Sequence, residues 1–157
     1  MVKRRLIIVS ASRRLSSGSS RGIPALQAYD GLFARFVRKY IREGYIKKAD
    51  VLFVSPVYGL IRGEDPLPPG GILEGDWRHP KVKPTQMRLM NKNALRLLKR
   101  LAASVHYSEA YVNVGRELCP IIKGVELALS CKVVFAEGRG IGPKTAHMKE
   151  WALRHCT

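Results

Sequence analysis

The chain has 157 residues, 46% of them hydrophobic, with 28 Lys and Arg against 12 Asp and Glu and a net charge of +16. This length fits one domain, residues 1–157, and no apolar run approaches the roughly 18 residues that a membrane span needs. The three cysteines form no CxxC pair and the four histidines have no metal-ligand spacing, so we expect a cytoplasmic protein with no metal and no cofactor.

The positive charge is unevenly distributed along the chain. Residues 81–100 carry seven basic side chains and no acid, whereas residues 48–80 carry five acids against three basic side chains. An excess of this size repels itself in the compact state, and a polyanionic partner is the common reason to tolerate it. Surface charge without a nucleic-acid partner is the alternative interpretation.

Strand and helix patterns alternate along the sequence. Continuous apolar runs predict strands that are buried on both faces, and these are residues 5–10, 50–55, 109–114 and 132–136. Apolar residues at helical spacing, with cap and stop residues, predict four helices, which span about residues 30–44, 86–103, 117–129 and 143–155. Residues 56–84 are rich in Gly and Pro and show neither period, so we expect a long functional loop there.

This alternation predicts an α/β fold, a three-layer sandwich with a parallel sheet of about four strands and helices on both faces. Ligands of such sheets bind outside the carboxyl ends of the strands, where the strand order reverses. The residues that follow the predicted strands are polar or glycine, and they are the candidate ligand-binding residues: Ser10, Ser12, Arg13, Ser55, Tyr58, Gly59, Gly115, Gly138 and Arg139. No histidine is placed to activate either Ser10 or Ser55, so we interpret these serines as hydrogen-bonding groups.

The turn from Gly138 to Thr145, GRGIGPKT, differs at one position from the phosphate-binding loop GxxxxGK[ST]. Pro143 stands where the second glycine belongs, and proline has no N–H to donate to a phosphate. A weaker anion site is the functional prediction, with Arg139 and Lys144 adding charge to a helix N-terminus. A plain strand-to-helix turn is the alternative.

The predicted helix over residues 86–103 carries a row of basic side chains. Arg88, Lys92, Arg96 and Lys99 are three or four residues apart, so we expect them on one helix face. A face of this kind can contact a nucleic-acid backbone, or it can simply be solvated.

Acids are concentrated in the predicted loop. Glu64, Asp65 and Asp76 are candidate general bases, and Tyr58 or Trp77 could stack on a nucleobase. The alternative is that these acids pair with Arg62, Arg78 and neighbouring lysines to order the loop.

The run SPVYGLIRGE from Ser55 to Glu64, followed by Gly75-Asp76-Trp77, resembles the uracil-DNA-glycosylase-like central domain of archaeosine synthase, the archaeal paralogue of tRNA-guanine transglycosylase. The GEDPL segment at residues 63–67 is similar to the water-activating loop of uracil-DNA glycosylases. Ser10 to Arg13, together with Ser55 and Tyr58-Gly59-Leu60, is also similar to small uncharacterised proteins, some of them grouped with the peroxide-stress protein YaaA.

The resemblance implies a uracil-DNA-glycosylase-like fold and a role near tRNA modification. It implies a ligand loop that includes Ser55, Gly59, Glu64, Asp76 and Trp77. The sequence motif associated with synthase activity is not found here, and neither are the transglycosylase and RNA-binding parts of the larger protein.

Three function classes follow from these observations. The first is a stand-alone RNA-associated domain, with tRNA as the expected RNA, acting as a binding module or as a partner of a tRNA-modifying enzyme. The second is an enzyme that acts on a nucleoside or nucleobase with a carboxylate base. The third is a nucleotide- or metabolite-binding protein whose charge is incidental.

Overall fold

The computed structural model describes residues 3–12, 23–67 and 82–156. The strands in these ranges are β1 (Arg4–Ser10), β2 (Ala49–Ser55), β3 (Gly59–Arg62), β4 (Tyr107–Asn113) and β5 (Lys132–Phe135). The helices are α1 (Ala25–Ala28), α2 (Leu32–Arg42), α3 (Pro84–Ser104), a 3₁₀ helix (Arg116–Ile122), α4 (Val125–Leu129) and α5 (Ile141–His155). None of these helices is both long and apolar enough to cross a membrane.

The strands form one sheet in the order β3-β2-β1-β4-β5. β1, β2, β4 and β5 are parallel, and they correspond to the four predicted strands. β3 is antiparallel to β2 and makes the sheet mixed, whereas the sequence predicted a parallel one. It lies in a stretch for which no strand was predicted, because four residues are too few to show a strand period.

Gly59 is the residue that allows this extra strand. It follows the turn after β2 with φ of 75°, a conformation that glycine adopts without a steric cost. The space beside its Cα is filled by Met90 of α3, 3.5 Å from the position of a Cβ. The hairpin and α3 therefore pack closely at this point.

β1 is the central strand, and its side chains alternate between two hydrophobic cores. Ile7 and Val9 pack with residues of α1, α2 and α5, whereas Leu6 and Ile8 pack with residues of α3, the 3₁₀ helix and α4. All four side chains are 0% exposed. Helices therefore cover both faces of the sheet, as predicted, since each apolar face needs a cover.

The strand order reverses between β1 and β4. From β1 the chain passes through α1 and α2 to β2 on one side, and it later returns through α3 to β4 on the other side. Right-handed crossovers in opposite directions place their helices on opposite faces of a sheet. This is why α2 and α3 contribute to different cores, and it creates a switch point at the carboxyl ends of β1 and β4.

The predicted helix over residues 117–129 is broken into the 3₁₀ helix and α4. Pro120 lies inside the 3₁₀ helix, where it cannot donate a backbone hydrogen bond. Gly124 has φ of 93°, and a Cβ there would lie 3.5 Å from Leu95 of α3. The apolar spacing predicted the buried face correctly, but these two residues interrupt the helix.

Gly138→Ala is expected to lower the free energy of unfolding by about 1–3 kcal/mol. Gly138 has φ of 112°, and an alanine Cβ would lie 2.5 Å from the Cβ of Pro143. Both the backbone conformation and the close contact therefore disfavour a side chain. Denaturant unfolding of the purified variant measures the loss.

Gly142→Ala is the matched control. Gly142 lies in the first turn of α5, and apart from its chain neighbours no described residue lies within 4 Å of the Cβ that alanine would add. The helix propensity of alanine favours this variant by up to about 1 kcal/mol, whereas the contact of its Cβ with the ring of Pro143 opposes it, so its stability should change by less than about 1 kcal/mol. An unfolding midpoint for Gly138→Ala equal to that of the wild type would contradict the close packing against Pro143.

Candidate functional site

The carboxyl ends of β1, β2 and β4 lie at the same end of the sheet. Ser10 pairs with Val54 of β2, and Val9 pairs with Asn113 of β4. Ser55 therefore lies one position beyond the partner of Ser10. The structure brings together the ends of these strands, which the sequence proposed as a ligand site.

Ser10 joins the two strands at the switch point. Its Oγ accepts a hydrogen bond from the N–H of Gly115 at 2.8 Å. A Cβ on Gly115 would lie 3.2 Å from a carboxylate oxygen of Glu117 and 3.8 Å from the Oγ of Ser10. A serine hydroxyl, a glycine and a carboxylate thus meet where the strand order reverses.

Glu117 was not singled out from the sequence. It follows β4 by four residues and occupies the first turn of the 3₁₀ helix. Its acidic side chain two residues after Gly115 was the available signal, but only the fold shows that the carboxylate turns back toward Ser10. A carboxylate at this place can accept hydrogen bonds from ligand hydroxyl or amino groups.

Ser12 lies beside the start of α2. A Cβ on Gly31, the N-cap of that helix, would lie 2.3 Å from the Cβ of Ser12 and 2.9 Å from its Oγ. The missing side chain at Gly31 therefore makes room for Ser12. This contact holds the chain that leaves β1 against α2.

Ser55 is completely buried and organises the turn that follows β2. Its Oγ accepts hydrogen bonds from the N–H groups of Val57, at 3.0 Å, and Tyr58, at 3.2 Å. These bonds satisfy backbone donors that the turn would otherwise leave unpaired. They give Ser55 a structural role at the position where the sequence predicted ligand contact.

Two phenol groups lie close to this buried serine. The hydroxyls of Tyr29 and Tyr58 are buried, and within the described ranges neither makes a hydrogen bond. Burial raises the pKa of both phenols, and for Tyr29 the neighbouring Ser55 side chain offsets part of the rise. Both therefore remain neutral at physiological pH. Tyr29 was missed because a lone tyrosine carries no motif.

A second polar cluster joins β4, the turn after β5 and α5. The hydroxyl of Tyr111 and the Nδ1 of His147 are 2.6 Å apart, and the Nε2 of His147 is 3.8 Å from the carboxylate of Glu137. Burial, followed by the charge of Glu137, raises the pKa of Tyr111. A neutral phenol can donate to Nδ1, an arrangement that directs the proton on Nε2 toward Glu137.

In the turn after β5, the proline has a packing role. Pro143 contacts Gly138, and the hydroxyl of Thr145 donates to the carbonyl of Ile141 at 2.7 Å within α5. The threonine hydroxyl is therefore already engaged by its own helix. Arg139 is exposed, whereas Lys144 is half-buried and lines a cavity at the carboxyl ends of β4 and β5.

The candidate general bases Glu64 and Asp65 lie toward the opposite end of the sheet. β3 runs antiparallel to β2, so the residues that follow it lie beside the start of β2. Both side chains are exposed, and Glu64 pairs with Arg62. The structure does not bring these carboxylates together with Ser10 and Ser55. Arg13, Asp76 and Trp77 lie outside the described residues.

The basic row on α3 is present as the spacing predicted. The four side chains are exposed on one face, and none makes a hydrogen bond or an ion pair with another described residue: Arg88, Lys92, Arg96 and Lys99. We call these four residues the α3 ridge. The opposite face of the helix packs into the core through Ala94, Leu98 and Leu101.

Metal-ligating side chains do not converge in the described part of the chain, where no three His, Cys, Asp or Glu residues form a group. Cys119, Cys131 and Cys156 are free thiols. Burial raises the pKa of all three, that of Cys156 to about 11.

Comparisons with protein-family models, with curated proteins and with solved structures found no match. The functional argument therefore depends on the chain's own geometry and charge.

Ser10→Ala is expected to lower the free energy of unfolding by about 1–2 kcal/mol, because the Gly115 N–H would lose its acceptor at a partly buried position. Thermal denaturation measures the change. Ser104→Ala is the control: this exposed hydroxyl donates only to the carbonyl of Arg100 in its own helix, at 2.9 Å, and its loss should change stability by less than about 0.5 kcal/mol. Equal losses in the two variants would argue against a special role for Ser10.

Proposed function

We propose that this protein is an RNA-binding domain that contacts the phosphate backbone through the α3 ridge. The observation that carries the proposal is a row of four exposed cations on one face of a 21-residue helix, none of which pairs with an acid among the described residues. Phosphate contacts by Lys and Arg supply most of the sequence-independent affinity for nucleic acids, through release of counterions.

The composition of α3 supports a functional reason for this charge. The helix contains no Asp or Glu, so none of its cations can pair with an acid on the same helix. Arg88 and Lys92, and Lys92 and Arg96, are like charges four residues apart, and each such pair destabilises a helix by about 0.2–0.5 kcal/mol. A polyanion bound along this face would convert the repulsion into attraction.

The dimensions of the ridge suit several consecutive phosphates. Arg88 and Lys99 are eleven residues apart, which corresponds to about 16 Å at 1.5 Å per residue. The helix is also held firmly, because the side-chain amide of Asn91 donates to the carbonyls of Ile121, at 3.0 Å, and Lys123, at 2.9 Å. The ridge is therefore displayed on a fixed support, which lowers the entropic cost of binding.

The finer assignments follow from the resemblance to the central domain of archaeosine synthase. It supports tRNA as the RNA, a cytoplasmic role near tRNA modification, and a uracil-DNA-glycosylase-like arrangement of the three layers. A tRNA-modifying enzyme is the protein partner that this resemblance favours.

Replacing Lys92 and Arg96 by Gln is expected to weaken the binding of tRNA by about tenfold or more at low salt. The slope of log K against log salt should become shallower by about 1.4–1.8, because two phosphate contacts are lost. Fluorescence anisotropy with labelled tRNA over a salt series measures both quantities. The same series with duplex DNA tests the preference for RNA.

The matched control replaces Lys47 and Lys149 by Gln. Both are exposed, lie away from α3 and make no ion pair with another described residue, so the variant loses the same charge. Its affinity should fall much less than that of the ridge variant. Equal losses would show that only net charge matters, and tight binding of DNA equal to that of tRNA would refute RNA selectivity.

A further inference from the structure

A small cavity opens at the carboxyl ends of β4 and β5. Its volume is about 240 Å³, which exceeds the roughly 30 Å³ share of one water molecule several times. It is contributed by two strands, the 3₁₀ helix and α5, and its lining residues are Val112, Val114, Arg116, Cys119, Phe135, Ala136 and Lys144.

Two cations from different elements converge on this cavity. Arg116 is the first residue of the 3₁₀ helix, and Lys144 lies in the first turn of α5. Neither makes a hydrogen bond or an ion pair with another described residue. By contrast, Arg4, Arg35, Arg38, Arg62 and Arg154 all have carboxylate partners.

The rest of the cavity lining is apolar, apart from the thiol of Cys119. Val112, Val114 and Phe135 provide apolar surface, and the thiol of Cys119 lies 3.6 Å from the carbonyl of Val114. Burial raises the pKa of Cys119, while the charge of Lys144 lowers it and that of Glu117 raises it. The ammonium of Lys144 is thus close enough to the thiol to act on it electrostatically.

We propose that this cavity binds the phosphate group of a phosphate monoester, through Arg116 and Lys144. Two cations suit the two negative charges of a monoester, and Arg in particular forms paired hydrogen bonds with phosphate oxygens. The cavity is smaller than the 300–1,000 Å³ typical of sites that enclose a whole ligand. The phosphate would therefore enter while the group attached to it remains outside.

The carboxylate of Glu117 keeps phosphate away from the side of the cavity that faces the switch point. Its carboxylate lies near Gly115 and Ser10, where it would repel a phosphate but accept a hydrogen bond from a hydroxyl. The phosphate is therefore expected on the side of Lys144. This proposal is independent of the α3 ridge, since none of the ridge residues lines the cavity.

The thiol of Cys119 offers a direct test with the full-length protein. The rate at which iodoacetamide alkylates each cysteine is measured by peptide mass spectrometry, with inorganic phosphate, with a nucleoside monophosphate, and with chloride at matched ionic strength. Bound phosphate would block the thiol and raise its pKa. At a ligand concentration of about ten times Kd, the rate at Cys119 should fall about tenfold, whereas the rate at Cys131 should not change.

A pair of short oligoribonucleotides identifies the source of the phosphate. If the cavity takes a terminal RNA phosphate, a 5′-phosphorylated oligonucleotide should protect Cys119 at lower concentrations than inorganic phosphate, and the unphosphorylated one should not protect it. If it takes the phosphate of a free small molecule, the nucleoside monophosphate should protect at lower concentrations than the 5′-phosphorylated oligonucleotide, and the unphosphorylated one should again fail.

Replacing Arg116 and Lys144 by Gln should abolish protection, expressed as the ratio of rates with and without phosphate in the same variant. The variant with Gln at positions 47 and 149 loses the same charge and should keep the wild-type ratio. No protection in the wild type would overturn the proposal. Equal protection in the Arg116 and Lys144 variant, or equal protection at Cys131, would also overturn it.

Discussion

The complete burial of Leu6 to Val9, the middle of β1, is the constraint on which the rest of the structure depends. The strand is hydrogen-bonded to β2 on one side and β4 on the other, and Leu6 to Val9 are fully buried between two layers of helices. These four positions cannot tolerate an unpaired charge on either face, because a charge away from water is very costly. Arg4 and Arg5, at the start of the strand, are only half-buried and lie beside the carboxylates of Asp50 and Glu109. Charged groups are therefore displaced to the outer helix surfaces and to the ends of the strands.

Glu109 is a charged residue that is buried in the sheet, and its contacts show what a buried charge requires. Its carboxylate lies in β4 and is only 6% exposed. It accepts a hydrogen bond from the indole N–H of Trp151 at 3.2 Å and lies 3.3 Å from the Nδ1 of His155. Arg5 and Lys132 approach to 4.0 and 3.9 Å. Several donors and cations around one carboxylate can offset the loss of its hydration, and that requires elements distant in sequence to meet.

The sequence pattern was sufficient for features that depend on local apolar periodicity. It predicted the four parallel strands, the helix that carries the α3 ridge and the serines at the carboxyl ends of β1 and β2. It could not predict features that arise from tertiary contact. β3 depends on a hairpin closed at Gly59. The break before α4 has a local cause in Pro120 and in the positive φ of Gly124, which the apolar spacing alone does not show. Glu117 was missed because only the fold directs its carboxylate toward the switch point. The sequence placed Arg116 beside the carboxyl end of β4, but only the fold shows that it lines a cavity with Lys144.

The two basic surfaces differ in how they can discriminate between anions. The α3 ridge is exposed and has no carboxylate on its own helix, so its attraction to phosphates depends on charge spacing and falls with salt. The cavity adds apolar walls, a fixed volume and the nearby carboxylate of Glu117, so shape also decides what binds. They are connected through the 3₁₀ helix, which begins with Arg116 at the cavity and whose Ile121 carbonyl is held by Asn91 of α3. Because this connection uses the inner side of α3, changing the outer charges of the ridge should leave the shape of the cavity intact.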